Sequence, residues 1–293
     1  MKGNTLIKLF DEFNKKNINY CVRSKEYQHL PYSLNGKDVD LIVLEEDIKK
    51  AKLILQEKGF ILYPYTKPHY MYYIYDKNIG LIQLDIIILK NLPHIKKYKN
   101  FFISEEIINL SQKPLYKKLL TFFQRKIFFM GKGKLICFIG PDGSGKTTAM
   151  KNVNEALQKF PIKKQQMIFG ALKPSPISRI ISRMTSIIKV YWYIFQGSIV
   201  LTDRYLELTF RKKYPVFRKL LWKIAPTPSI VFIMKTNYNT LKNRRGDECL
   251  PKETIKDLYK LFLGIFNTKI INTEKHPLIN LSYMMQQILN LYK

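Results

Sequence analysis

An α/β fold in two parts is what the sequence predicts, and three observations predict it. The chain has 293 residues, more than the roughly 100–200 of an ordinary domain. After Leu135, short apolar runs alternate with helical segments, the pattern of a parallel sheet covered by helices on both faces. The first of those runs breaks into a glycine-rich turn that leads straight into a helix. A hydrophobic fraction of 46%, with 13% aromatic and 25% charged residues, is enough to build cores and excludes a disordered or collagen-like chain.

Taken in order, residues 1–112 read as a smaller α+β module. Apolar periodicity gives a helix over 5–14, an apolar segment near 20–22, a strand over 39–44, a helix over 47–58, and strands around 70–75 and 81–89. Residues 113–133 read as a basic linker helix, with Pro114 in the first turn and Leu115, Leu119, Phe122 and Phe123 at helical spacing until Gly131 and Gly133 break the pattern. Residues 134–293 form the second domain: a strand over 135–140, a helix from near Lys146, and strands over 167–169, 199–201, 230–234 and 269–271. No solenoid-type repeat is visible.

Fifty Lys and Arg against 22 Asp and Glu give a net charge of +28, which favours anionic partners: nucleotides, phosphorylated metabolites, nucleic acid or an anionic membrane. A lysine-coated solvated surface would give the same charge, and no nucleic-acid motif is present. Lys117, Lys118, Arg125 and Lys126 could set the linker helix on a membrane as a peripheral contact; the competing reading packs its apolar side between the domains. Cys21, Cys137 and Cys249 fit neither a disulfide framework nor zinc-ligand spacing, which points to a reducing cytoplasm. The N-terminal residues lack the apolar core of a signal peptide, and the apolar run 190–202 is shorter than the roughly 20 residues that span a bilayer. His29, His69, His94 and His276 are scattered and carry no assigned chemistry.

The segment Gly140-Pro141-Asp142-Gly143-Ser144-Gly145-Lys146-Thr147 fits G-x-x-x-x-G-K-[ST], the phosphate loop. Glycines let the backbone turn and aim N–H groups at phosphate oxygens, and the following helix adds the positive end of its dipole. Lys146 reaches the β/γ-phosphates and Thr147 offers a hydroxyl to Mg²⁺. The nucleotide-binding set is Gly140, Gly143, Ser144, Gly145, Lys146, Thr147 and Thr148, and the cofactors are ATP and Mg²⁺.

FIGPDGSGKTT at 138–148, Thr202-Asp203-Arg204-Tyr205 after an apolar run, and LKNRRGDE at 241–248 followed by a helix containing Tyr259 together resemble the thymidylate kinase family, over roughly Leu135 to the C-terminus. The resemblance implies a P-loop NTPase parallel sheet flanked by helices and, as an assembly, a homodimer. It also implies roles: Asp203 holding the Mg²⁺ shell directly or through water, Arg204 clamping an anionic acceptor, Arg244 and Arg245 closing over ATP, and Asp142 serving the acceptor side and catalytic positioning. Asp203-Arg204 as a surface ion pair, and the two lid arginines as solvated charges, are the competing readings. Where thymidylate kinases carry R-E-P-G this chain has IFGALKPSPISR at 168–179, and the tract LELTFRKKYPVF at 206–217 lacks the Ser and Gln that frame thymine. The phosphate-transfer half of the pattern is therefore present without the thymidine-reading half, which leaves the acceptor open between dTMP and other molecules.

In the first domain, Asp38 and Asp40 stand two apart at a strand start, hence on one face, and Asp85 lies in a later strand that could neighbour it. Three convergent carboxylates can hold two divalent ions for nucleotidyl transfer. The pattern resembles the nucleotidyltransferase superfamily, with Arg23-Ser24 where its glycine-serine signature is expected. Solvent-facing aspartates beyond an Asn35-Gly36 turn, and a retained fold with altered catalysis, are the alternatives.

The whole reads as a kinase transferring the γ-phosphate of ATP to a nucleoside monophosphate or another small, anionic or hydroxylated acceptor. Two rivals stand beside it: a bifunctional kinase/nucleotidyltransferase supplying surface-polysaccharide precursors, and a nucleotide sensor without turnover.

Overall fold

The computed structural model describes residues 5–23, 38–63, 70–90, 96–98, 101–104, 130–158, 160, 162–168, 176–204, 224–264 and 267–292. Readings that fall on Ser24, on the Asn35-Gly36 turn, on the basic helix of 113–129, on 169–175 and on 205–217 lie outside the described residues. The chain divides into two compact units, Met1–Lys117 together with Met285–Lys293, and Lys118–Met284.

Among its described residues up to 104, the first unit is a mixed seven-stranded sheet with two α-helices. Helix α1 (Thr5–Lys15) is followed by β1 (Tyr20–Arg23), β2 (Val39–Leu44), α2 (Ile48–Glu57), β3 (Ile61–Leu62), β4 (Tyr70–Asp76), β5 (Gly80–Leu89), β6 (Lys96–Tyr98) and β7 (Phe101–Ser104). The strand order is β3-β4-β5-β2-β1-β7-β6. Strand β2 runs parallel to β5 and antiparallel to β1, which places Asp40 opposite both Asp85 and Arg23. Leu6, Leu9, Phe10 and Phe13 recur on one face of α1 and bury with Ala51, Ile54 and Leu55 of α2 against Leu41, Val43, Leu84 and Ile86. Cys21, Ile42 and Ile87, which alternate to the other face, form a separate small cluster. Thr5 starts α1 with its N–H and hydroxyl both donated to Asp76 on β4.

The second unit is a five-stranded, all-parallel sheet. Its elements are β8 (Lys134–Ile139), α3 (Lys146–Ala156), β9 (Lys164–Ile168), α4 (Pro176–Phe195), β10 (Ile199–Asp203), β11 (Ile230–Lys235), α5 (Tyr238–Arg245), α6 (Lys252–Leu263), β12 (Thr268–Asn272) and α7 (Pro277–Asn290), the last crossing the division between units. The order is β12-β11-β8-β10-β9, so β8 is central. Leu135, Ile136, Cys137, Phe138 and Ile139 of β8 are all buried, as a strand covered on both faces requires. Leu135 and Cys137 meet Ile187 and Val190 of α4 and Phe262 of α6 on one face; Phe138 on the other lies 5.5 Å from Phe232. Helix α3 packs against β8 and β10. This is the α/β architecture of a P-loop NTPase sheet.

Sequence and structure differ at β9, expected over 167–169 and found at Lys164–Ile168. It is an edge strand, and its Lys164 Nζ folds back to the carbonyls of Gln158 and Phe160, so an apolar pattern is not needed for pairing. The apolar run 190–202 is the end of one helix, a turn and the start of a strand. Among the described residues no helix is long and apolar enough to cross a membrane.

Candidate functional site

The loop between β8 and α3 turns on glycines that no other residue could replace without strain. Gly140 has φ +151°, and a Cβ there would stand 2.8 Å from the Met234 carbonyl oxygen and 2.8 Å from Ser144 Oγ. Gly145, at φ +87°, makes the left-handed step into the first turn of α3. The positive end of that helix's dipole therefore faces the loop. Lys146 is buried, 4% exposed, and its ammonium donates to Gly140 O at 2.7 Å and Pro141 O at 2.8 Å, with Asp142 Oδ1 at 3.4 Å. A buried cation curled against the carbonyls of its own loop is in a state that a phosphate oxygen can improve.

Asp203 ends β10 beside Phe138 of β8, and the parallel register brings it to the loop. Its Oδ2 accepts the Thr147 hydroxyl at 2.6 Å; Oδ1 is buried and has no hydrogen-bond partner among the described residues. Ser144, fully buried, likewise has an unpartnered Oγ. An ionised oxygen left without a donor is costly, and a hydroxyl next to a carboxylate is the donor set a hard divalent cation takes. Thr147 and Asp203 thus fit Mg²⁺ on their own chemistry.

Arg204 takes a left-handed φ of +61°, its N–H bonded to Phe138 O at 3.1 Å, and this bend turns its guanidinium to the Asp142 carboxylate. Burial alone would raise the Asp142 pKa, but Lys146 and Arg204 together hold it below the ordinary carboxylate range. Arg244 Nη1 donates to Gly143 O at 2.9 Å, and Arg245 lies against Gly143 while reaching Glu248 at 3.4 Å. Tyr259 steadies the end of β11, accepting from Thr236 N at 3.1 Å and donating to Met234 O at 3.2 Å.

Asp142, Gly143, Lys146, Arg204, Arg244 and Arg245 share one cavity of about 500 Å³, with Asp203 buried beneath Thr147. The opposite wall is Thr273, Lys275, Pro277, Asn280, Leu281 and Met284, from the turn after β12 and the following helix. No motif marks these six; only the position of β12 beside β11 brings them to the loop.

The first-unit carboxylates are arranged differently. Asp40 and Asp85 are register partners on adjacent parallel strands, and Asp38 lies just before β2. Arg23 Nη1 stands 4.0 Å from Asp40 Oδ2; Gln83, itself held by Tyr73 at 2.9 Å, donates to Asp85 Oδ1 at 2.9 Å. Burial pushes Asp85 up to about 6, and Asp38 and Asp40 add to it against the Gln83 bond. Among the described residues no group of three or more His, Cys, Asp or Glu is placed to hold a metal ion. Here a guanidinium faces the Asp40 carboxylate and an amide faces that of Asp85.

Parallel sheet, phosphate loop and converging cations define a P-loop, nucleotide-binding type of unit. No protein-family model matches the sequence, and no curated protein matches it. Among solved structures the chain is similar to thymidylate kinase from Ehrlichia chaffeensis, at 17% identity and a TM-score of 0.38 over 54% of this chain and 98% of that one. It is also similar to the protein APE1195, at 16% identity and a TM-score of 0.37 over 55% of this chain and 96% of that one.

Proposed function

We propose that the second unit is an ATP- and Mg²⁺-dependent phosphotransferase that moves the γ-phosphate of ATP to a small anionic acceptor, with nucleoside monophosphates such as dTMP the first class to try. The observation that carries this reading is the Thr147–Asp203 pair at 2.6 Å with its second carboxylate oxygen unpartnered, set beside a buried Lys146. Phosphoryl transfer is achieved by positioning and charge neutralisation, and these residues supply both.

Bound between Thr147 and Asp203, Mg²⁺ would neutralise charge on the β- and γ-phosphates. Lys146 exchanges its loop carbonyls for phosphate oxygens. Arg244 and Arg245, already against Gly143, cover the triphosphate side. Arg204 leaves Asp142 for the incoming acceptor anion, and the released Asp142 carboxylate lies beside it to orient a hydroxyl or phosphate. The resemblance noted in the sequence agrees with these roles, and the missing thymine-framing residues leave the acceptor open to other small anions.

Phosphorus NMR of the chain with MgATP and dTMP, then with a pool of small metabolites in place of dTMP, tests the reading. ADP should appear in step with one phosphorylated product, be lost in Lys146→Ala and persist in Asp38→Asn. MgATP bound without product from any acceptor would refute transfer in favour of nucleotide sensing. Pyrophosphate release dependent on Asp38 and Asp85 would instead establish a second, nucleotidyl-transfer activity.

A further inference from the structure

Helix α5, which ends in Arg244 and Arg245, is tied at both ends. Its C-terminal end is held to the phosphate loop by Arg244 on Gly143 O at 2.9 Å. Its N-terminal end is held by Glu274, which accepts from Asn237 N at 3.1 Å, Asn237 Nδ2 at 2.5 Å and Thr240 Oγ1 at 3.2 Å. Glu274 sits between Thr273 and Lys275, two residues of the far cavity wall. Thr273 fastens the same turn to β11, through Thr236 Oγ1 at 2.5 Å and Lys235 O at 3.1 Å.

Asn237 occupies the N-cap position, yet its side chain makes no capping bond to its own helix. Its amide is given to Glu274, so a carboxylate from another element stands at the positive end of the α5 dipole. One side chain thereby links the wall opposite the phosphate loop to the element that carries both lid arginines. The lever is long enough to matter. An eight-residue helix is about 12 Å long, so a pivot of about 5° at Asn237 carries Arg244 and Arg245 about 1 Å. A displacement of that size is enough to cost on the order of a hundredfold in a reaction governed by positioning.

We propose that Glu274 is a positioning residue that couples occupancy of the far wall to the placement of Arg244 and Arg245. The inference rests on the reading that this cavity takes MgATP. A nucleotide resting on Thr273 and Lys275 tightens the turn, Glu274 passes the restraint to Asn237 and Thr240, and the arginine end of α5 is held over the phosphates. Removing the carboxylate leaves the wall and the phosphate loop intact but disconnects them through α5.

The test uses the full chain, wild type against Glu274→Ala and Glu274→Gln. Calorimetric MgATP affinity is measured together with hydrogen–deuterium exchange of the peptide covering 238–245, with and without MgATP. In the wild type, MgATP should slow exchange across 238–245. In Glu274→Ala, affinity should stay within about threefold while that slowing shrinks on the order of tenfold. Glu274→Gln keeps an acceptor oxygen for the Asn237 N–H and should recover part of it. Equal slowing in Glu274→Ala and wild type would overturn the coupling. So would a variant whose 238–245 peptide already exchanges faster without nucleotide and is still slowed by MgATP by the wild-type factor, the mark of a merely structural cap. A wild-type chain that binds no MgATP would overturn the nucleotide reading and the coupling with it, an outcome read from the wild type alone.

Discussion

Asp85→Asn should make this protein more stable at alkaline pH, and the size of the gain follows from where the carboxyl lies. Asp85 is set between Leu84 and Ile86 of β5, beside Asp40 on β2. Burial first, then repulsion from Asp38 and Asp40, pushes it from an ordinary 3.8 up to about 6. A carboxyl that holds its proton more tightly when folded favours the fold while protonated, and that contribution is lost as pH rises through about 6. Above that pH, ionisation costs the native state at most about 3 kcal/mol, at roughly 1.4 kcal/mol per pH unit. The group is only part-buried, and solvent screening brings the figure to about 1–2 kcal/mol. Asparagine removes the charge and keeps an oxygen for Gln83.

Urea unfolding of both proteins by far-UV circular dichroism at pH 4, 5, 6 and 8 measures the difference. Trp192 and Trp222 both belong to the second unit, so their fluorescence follows that unit separately. Asp85→Asn should be about 1–2 kcal/mol more stable at pH 8, with the gain fading between pH 6 and 4 and the tryptophan transition unmoved. A variant less stable at pH 8, or a difference that ignores pH, would refute the reasoning. Millimolar Mg²⁺ that stabilises the wild type and erases the variant's gain would mark Asp38, Asp40 and Asp85 as a metal site.

Three further perturbations act on the second unit. Asp203→Asn should weaken MgATP binding on the order of tenfold or more and leave metal-free ATP binding within about threefold, as titration calorimetry would show, because only the metal's anionic ligand is lost. Gly140→Ala forces a Cβ to 2.8 Å from a backbone carbonyl at a φ of +151°; it should cost about 1–3 kcal/mol in thermal or urea unfolding and abolish nucleotide binding. Arg204→Ala frees Asp142 from its cation and should raise KM for the acceptor far more than KM for ATP in steady-state kinetics.

How much of this was legible in the sequence depended on whether the chemistry was local. The phosphate loop is contiguous, and its function resides in backbone geometry that only glycine permits, so Gly140, Gly143 and Gly145 announced it. Asp203, Arg244 and Arg245 were legible through the resemblance, because Thr202-Asp203-Arg204-Tyr205 after an apolar run and LKNRRGDE after the next strand follow the phosphate loop in the family's order. The far wall was not. Thr273, Lys275 and Asn280 are ordinary turn and helix residues whose place depends on β12 pairing with β11. Glu274 was missed for the same reason, since its partners lie 34 to 37 residues away. Strands β3, β6 and β7 escaped because two to four residues carry no readable period. The aspartates of the first unit were found, but not that Arg23 and Gln83 would meet two of them, because strand register is invisible to a spacing argument.

The first unit contains residues from both ends of this sequence, Met1–Lys117 and Met285–Lys293. During synthesis residues up to 117 emerge long before 285–293, and the whole second unit is made in between. All seven strands of the first unit lie before residue 105 and all five of the second between 134 and 272, so each sheet is encoded in one uninterrupted stretch, and what 285–293 add to the first unit is the end of a helix made after both sheets. Order of translation and order of completion are thus reversed in this chain. A tag or truncation at its last few residues should register in the unit that was translated first.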